Sequence, residues 1–139
     1  MCVEGARAVH RQATSQIESP DLVIFVVWLP RYPGDNREKA VTATRNVSDS
    51  RAHHFWDAEA MLSKRYGRIL GLPEGKQFAW DTYMVFDADA TWIDTPPTPA
   101  NWMHQMGGAL GRSHPRWLDP DRFKGSLIEL LKEPDRNQP

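Results

Sequence analysis

The chain has 139 residues, 40% of them hydrophobic and 25% charged, with a formal net charge of −1. This is the size and balance of one globular domain with a moderate core, and without a basic run or basic-aromatic interleaving it lacks the electrostatic footprint of a nucleic-acid binder. A single cysteine rules out an internal disulfide framework, and the longest apolar run, residues 22–29, is far short of the roughly 20 residues that span a bilayer. The expectation is a soluble chain without a signal peptide, cytoplasmic and not membrane-bound.

Along its length the chain alternates helix and strand patterns. Residues 6–15 are helix-compatible, and Ser19-Pro20-Asp21 breaks the pattern. Leu22-Val23-Ile24-Phe25-Val26-Val27-Trp28 is continuously apolar and rich in β-branched residues, which predicts a strand covered on both faces. The turn-rich residues 29–36 follow at its carboxyl end, where open α/β sheets place ligand crevices. Asp35 or Asn36 is placed to cap a polar helix reaching about residue 47. His53-His54-Phe55-Trp56 reads as a second strand, and Asp57 as the cap of a helix over residues 58–70 that Gly71 stops. Residues 78–87 and 91–93, joined by Ala88-Asp89-Ala90, predict an antiparallel hairpin. Thr98 and Pro99 resemble the start of a helix running through Trp102, Met103, Met106 and Leu110, weakened by Gly107-Gly108. A last amphipathic helix spans residues 120–132 with Phe123, Leu127, Leu130 and Leu131 on one side, before a polar, frayed tail.

The chemistry-bearing residues are few. Cys2 stands at the start of the first helical pattern, where unpaired backbone N–H groups favour thiolate over thiol and lower a cysteine pKa below its usual ~8.5. The plain alternative is a cysteine acting as a small hydrophobe. His53, His54, Asp57, Asp81 and His104 are metal-ligand types, but adjacent histidines on a strand point to opposite faces, so no metal site is expected from them. His104 reads better as a helix-surface or satisfied core histidine. Asp81, after Trp80 at a strand start, is either a proton-transfer carboxylate near a thiolate or an ordinary turn cap. Trp28, Trp56, Trp80, Trp92 and Trp102 are a heavy aromatic load, mostly for the core, with some available to line a groove. Asn46-Val47-Ser48 fits a glycosylation sequon that is too common to carry weight.

Helix, strand, helix, strand, helix, hairpin and helix is an order that one strand before the first helix would complete as a thioredoxin-like domain with a helix–strand insertion. Four stretches, Phe25-Val26-Val27-Trp28-Leu29-Pro30, His54-Phe55-Trp56-Asp57, Ala79-Trp80-Asp81 and Trp102-Met103-His104-Gln105, resemble an uncharacterised bacterial thioredoxin-like family. The resemblance covers roughly residues 22–106. It implies an α/β fold: a thioredoxin-like mixed sheet with helices on both faces, N-terminally truncated here, over residues 1–112, with an added helical extension and tail at 113–139. Members carry a Cys-x-x-Cys motif, in some with selenocysteine first, and Cys2 matches the second position. The first position has no counterpart, as expected if a UGA codon, read as a stop, had moved the assigned start to Met1.

By this match Cys2 is the resolving cysteine of a thiol or selenol-disulfide oxidoreductase whose nucleophile is missing, so this chain should not run a dithiol cycle. On this reading Asp81 is the carboxylate that serves the catalytic thiol, Trp28, Pro30 and Trp80 line a substrate groove, and the substrate is a protein or small-molecule disulfide or peroxide, with no cofactor. Thioredoxins normally place a cis-proline before the strand facing the motif, and Phe78-Ala79-Trp80-Asp81 has none. The missing strand would be central, lying between those that match residues 22–28 and 82–86, so its loss would expose two hydrogen-bonding edges or force those strands to pair directly, leaving a fragment of modest stability prone to form a homodimer. The alternative is a redox-inactive thioredoxin-like module binding a peptide or protein partner.

Overall fold

The computed structural model describes residues 3–132; Cys2 and the polar tail lie outside them. The fold is mixed α/β. Among the described residues it holds α1 (Glu4–Gln12), β1 (Ile24–Trp28), α2 (Arg37–Ala43), β2 (Ala52–Trp56), α3 (Met61–Ile69), β3 (Thr82–Val85), β4 (Asn101–His104) and α4 (Pro120–Lys132), with 3-10 turns at Thr14–Gln16 and Thr44–Asn46. The strands form two separate pairs. β1 and β2 run parallel, Ile24 opposite Ala52 and Trp28 opposite Trp56. β3 and β4 run antiparallel, Thr82 opposite His104 and Val85 opposite Asn101. Residues 116–118 border β4 on its other side, with the Leu118 N–H donating to the His104 carbonyl at 2.8 Å. No strand among the described residues lies on the second edge of β1 or of β3.

The caps follow short-range chemistry. The Asn36 side chain accepts the Lys39 N–H at 2.9 Å and starts α2. Asp57 accepts the N–H groups of Met61 and Leu62 at 3.0 and 2.8 Å, so it caps α3 from four residues upstream, and the helix opens three residues later than the pattern predicts. Gly71, at φ +66°, closes α3 with Leu72 N–H on the Gly67 carbonyl and Gly71 N–H on Arg68, the paired bonds of a Schellman end.

Two predicted elements are replaced. The partner of β3 is β4, and Thr91-Trp92-Ile93 is exposed, with Ile93 82% accessible. The helical spacing of Trp102 and Met103 with Met106 hides a period of two: Met103 packs into one cluster with Val85, and Trp102 into the opposite one with Met106. A strand with apolar contacts on both faces buries more than the Thr98-Pro99 cap signal is worth, and only one turn remains at residues 106–111.

The core falls into three clusters. Val9, Ala13 and Ile17 from the first helical segment meet Leu22, Val85, Met103, Leu118, Phe123 and Leu127, so α4 packs against α1 and β4. Tyr66, Leu72, Ala79 and Met106 form the second, under α3. Trp28, Ala40 and Ala43 form the third, with Val3, Ala6, Val26 and Trp56 against them. Ile24, Val26 and Trp28 therefore face the helices, whereas Phe25 is 68% exposed on the other face, beside Phe55 and stacked on His53 with ring centroids 5.7 Å apart. The expected cover on both faces of this strand is absent among the described residues.

One side chain ties these parts together. All five N–H groups of Arg51 are used: Asp49 takes Nε and Nη2 at 2.9 and 2.8 Å, and the carbonyls of Ile17, Ser19 and Thr14 take the rest at 2.6 to 3.0 Å. The same residue's carbonyl accepts the first β1 N–H, that of Ile24, at 3.0 Å. Hydrogen bonds from Arg51 hold the Asp49 carboxyl down to about 2. A carboxyl depressed in the folded state contributes stability that is complete above its unfolded value near 4 and is lost as pH falls towards 2. Arg51→Ala should lose about 3 kcal/mol in urea unfolding, because it unpairs the Asp49 charge and strands the Ile17 and Ser19 carbonyls, and should flatten the stability-versus-pH curve between about pH 4 and 2; an unchanged acid limb would show that Asp49 is held by something else.

Candidate functional site

The N-terminal turn of α1 is the meeting point of three segments. Val3 packs with Trp28 at the end of β1, and Gly5 lies so close to β3 and β4 that a Cβ there would overlap the Tyr83 hydroxyl and Gln105 Oε1. Those two groups are themselves joined, the Tyr83 hydroxyl donating to Gln105 Oε1 at 3.2 Å. Trp28 is 4% exposed and its indole N–H donates to His54 Nδ1 at 3.2 Å; His54 Nε2 then donates to the Val47 carbonyl, fixing the neutral ring with its proton on Nε2.

The loop after β1 reaches towards the entry of β3. Asp35 closes it by accepting the Arg31 and Tyr32 N–H groups at 3.0 and 2.9 Å. The Arg31 guanidinium lies 4.5 Å from the Trp80 ring centre and 5.2 Å from that of Tyr32, with half-buried Pro30 just before it. Trp80 is held from α3: the Ser63 hydroxyl donates to the Ala79 carbonyl at 2.6 Å, and the Ala79 N–H donates back to the Ser63 carbonyl at 3.1 Å. Asp81 follows at φ +45°, a left-handed conformation that costs a non-glycine residue energy, and its carbonyl accepts the Gln105 N–H at 2.9 Å. Trp28 thus lies against the first turn of α1, Asp81 is bonded to Gln105, which meets that turn at Gly5, and Trp80 is joined to the loop of Pro30 through Arg31. Arg31, Tyr83 and Gln105 join them. A cation between two aromatic residues was a visible signal for Arg31; nothing local marks Tyr83 or Gln105, which arrive through strand pairing.

The other candidates separate. His53 stacks on Phe25, His54 is bound to Trp28, Asp57 caps α3, and His104, although paired with Thr82 beside Asp81, turns its ring towards Trp102 and Trp117. Among the described residues no three metal-ligating side chains come together. His104 is fully buried on a strand: its Nδ1 accepts the Met106 N–H at 3.1 Å, so its Nε2 carries the proton towards His114 Nδ1 at 3.0 Å, between Trp102 and Trp117. Burial, with His114 alongside, pushes its pKa down to about 4. The Asn46 side chain of the sequon is taken by Arg7 and by the Ala43 carbonyl. No helix of the described residues is long and apolar enough to cross a membrane. Comparison with known protein families, with curated proteins and with solved structures finds no match for this chain.

A histidine kept neutral by the fold binds its proton more readily once unfolded, so it contributes stability above about pH 6.5 that is lost as pH falls to about 4. His104→Gln should shrink the stability change across that window in chemical denaturation, and an identical slope in the variant would remove His104 as its source. Gly5→Ala gains about 1 kcal/mol of helix propensity but forces Tyr83 and Gln105 apart, a strain of about 1–3 kcal/mol. The net expectation is a lower melting temperature, measured by circular dichroism; a rise would mean that Tyr83 swings away freely.

Proposed function

We propose that this chain is a thioredoxin-like thiol or selenol-disulfide oxidoreductase domain, with Cys2 as the resolving cysteine of a motif whose first position is not in this sequence. The observation that carries the proposal is the contact of the first turn of α1, which follows Cys2 in the chain, with Trp28 at the end of β1 and with Tyr83 and Gln105, the latter bonded to the Asp81 carbonyl. The open edges of β1 and β3 support the fold assignment, since a strand ahead of α1 would join the two pairs into one mixed sheet.

In the working motif a first thiolate or selenolate attacks a substrate disulfide, releasing one substrate thiolate and forming a mixed disulfide. The Cys2 thiolate then attacks the motif's sulfur or selenium, freeing the second substrate thiol and leaving the motif oxidised. Helix-terminal N–H groups favour the thiolate, and the Asp81 carboxylate would exchange protons with it. Alone, Cys2 forms only a mixed disulfide or a disulfide-linked dimer. A second reading, a redox-inactive module that binds a peptide or protein, is favoured by Arg31 stacked between Trp80 and the exposed Tyr32, an aromatic ledge at the same place.

The test is the alkylation rate of the lone thiol against pH. Half-maximal reactivity below the ordinary ~8.5, shifted by Asp81→Asn, is the expected outcome. An ordinary titration that Asp81→Asn leaves unmoved would sink the redox reading and leave the binding module.

A further inference from the structure

On the side of α1 that faces the 3-10 turn Thr44–Asn46, a cleft of about 370 Å³ is lined by Arg7, His10, Arg11, Arg45, Asn46 and Ser48. We propose that this cleft binds the phosphate group of a small phosphorylated molecule. Arg7, His10 and Arg11 share one helical stripe by their i, i+3, i+4 spacing, and Arg45 and Ser48 close over it from the other wall. The first guanidinium is aimed in advance: Nε and Nη2 of Arg7 both donate to Asn46 Oδ1, at 3.0 and 2.7 Å, while Asn46 Nδ2 is anchored on the Ala43 carbonyl at 2.8 Å. A donor that is already oriented loses little entropy on binding.

The charge balance singles out this cleft on a chain of net charge −1. Glu4 takes Nη1 of Arg7 at 3.1 Å, and the nearby Asp49 is occupied by Arg51. Arg11 and Arg45 are exposed and, among the described residues, neither is paired with a carboxylate. The planar N–H forks of Arg11 and Arg45, with the oriented Arg7 and the Ser48 hydroxyl beside them, suit the several oxygens of a tetrahedral phosphate group. The volume is at the small end of the roughly 300–1,000 Å³ range of ligand pockets.

A second cleft of about 500 Å³ adjoins it, sharing His10 and Ser48 and continuing past Ile17 and Pro20. Glu18 and the Asp49–Arg51 ion pair line that second space, so it offers no surplus of positive charge to a second anionic group. A ligand with one phosphate at the basic end and a neutral body beyond fits both halves.

The experiment is a titration of the ¹⁵N-labelled chain at constant ionic strength, chloride being exchanged for inorganic phosphate, followed at the arginine Nε–Hε signals and the Ser48 amide. Saturable shifts at Arg7, Arg11, Arg45 and Ser48 are expected, with affinity reduced about tenfold or more in R11Q/R45Q. Both substituted residues are exposed, so the amide spectrum away from the cleft reports that the variant is folded. Phenyl phosphate binding more tightly than inorganic phosphate would assign the site to a phosphorylated organic ligand, as proposed; inorganic phosphate binding equally well would restrict it to the free anion and overturn the assigned ligand. Shifts that grow without saturation, or that R11Q/R45Q leaves unchanged, would overturn the site itself.

Discussion

The end of the first helical segment cannot close by itself. After Thr14–Gln16 the carbonyl of Thr14 keeps only the Ile17 N–H and those of Ile17 and Ser19 turn to the Arg51 side chain, and buried carbonyls without donors are costly. Arg51 satisfies all three with one planar group and is itself neutralised by Asp49. Because the next residue begins β2, and the Arg51 carbonyl starts the ladder with β1, the same side chain sets where α1 ends and where the parallel pair begins. The orientation of α1, and with it both faces used for the functional arguments, depends on this clamp.

With α1 held there, its surfaces divide by chemistry. Val9 faces β3, β4 and α4 through the largest core cluster, and Val3 and Ala6 face Trp28 and α2. The N-terminal turn is left against Tyr83 and Gln105, with glycine at the contact because no side chain fits. The polar stripe of Arg7, His10 and Arg11 is left over the Thr44–Asn46 turn. The proposed thiol chemistry would use the end of this helix and the proposed anion site its flank, and the two involve different residues.

The strand pairs explain the division of the core. Each is packed on helices, but they do not hydrogen-bond to each other, so packing of side chains such as Ile24, Tyr83 and Val85 against the shared cluster joins them. Side-chain packing is less directional than a ladder and fixes register less strongly. The free edge of β1, and the exposed Phe25 and Phe55 on its outer face, are the places where this fold has capacity left for an additional strand or a partner.

Local chemistry was legible in the residues. Asn36 and Asp57 as caps, Gly71 as a stop, the β-branched run at β1 and the apolar side of α4 each depend on contacts within a few positions, which the spacing of residue types encodes directly. What the residues left undecided were choices between two locally adequate structures. Asn101-Trp102-Met103-His104 suits a helix or a strand, and only the apolar clusters on both sides of β3 made it a strand. The burial of His104 against His114, and the five-donor clamp of Arg51, join residues that are 10 and up to 37 positions apart. Such contacts gain their free energy only after the chain has folded, so tertiary structure alone decided them.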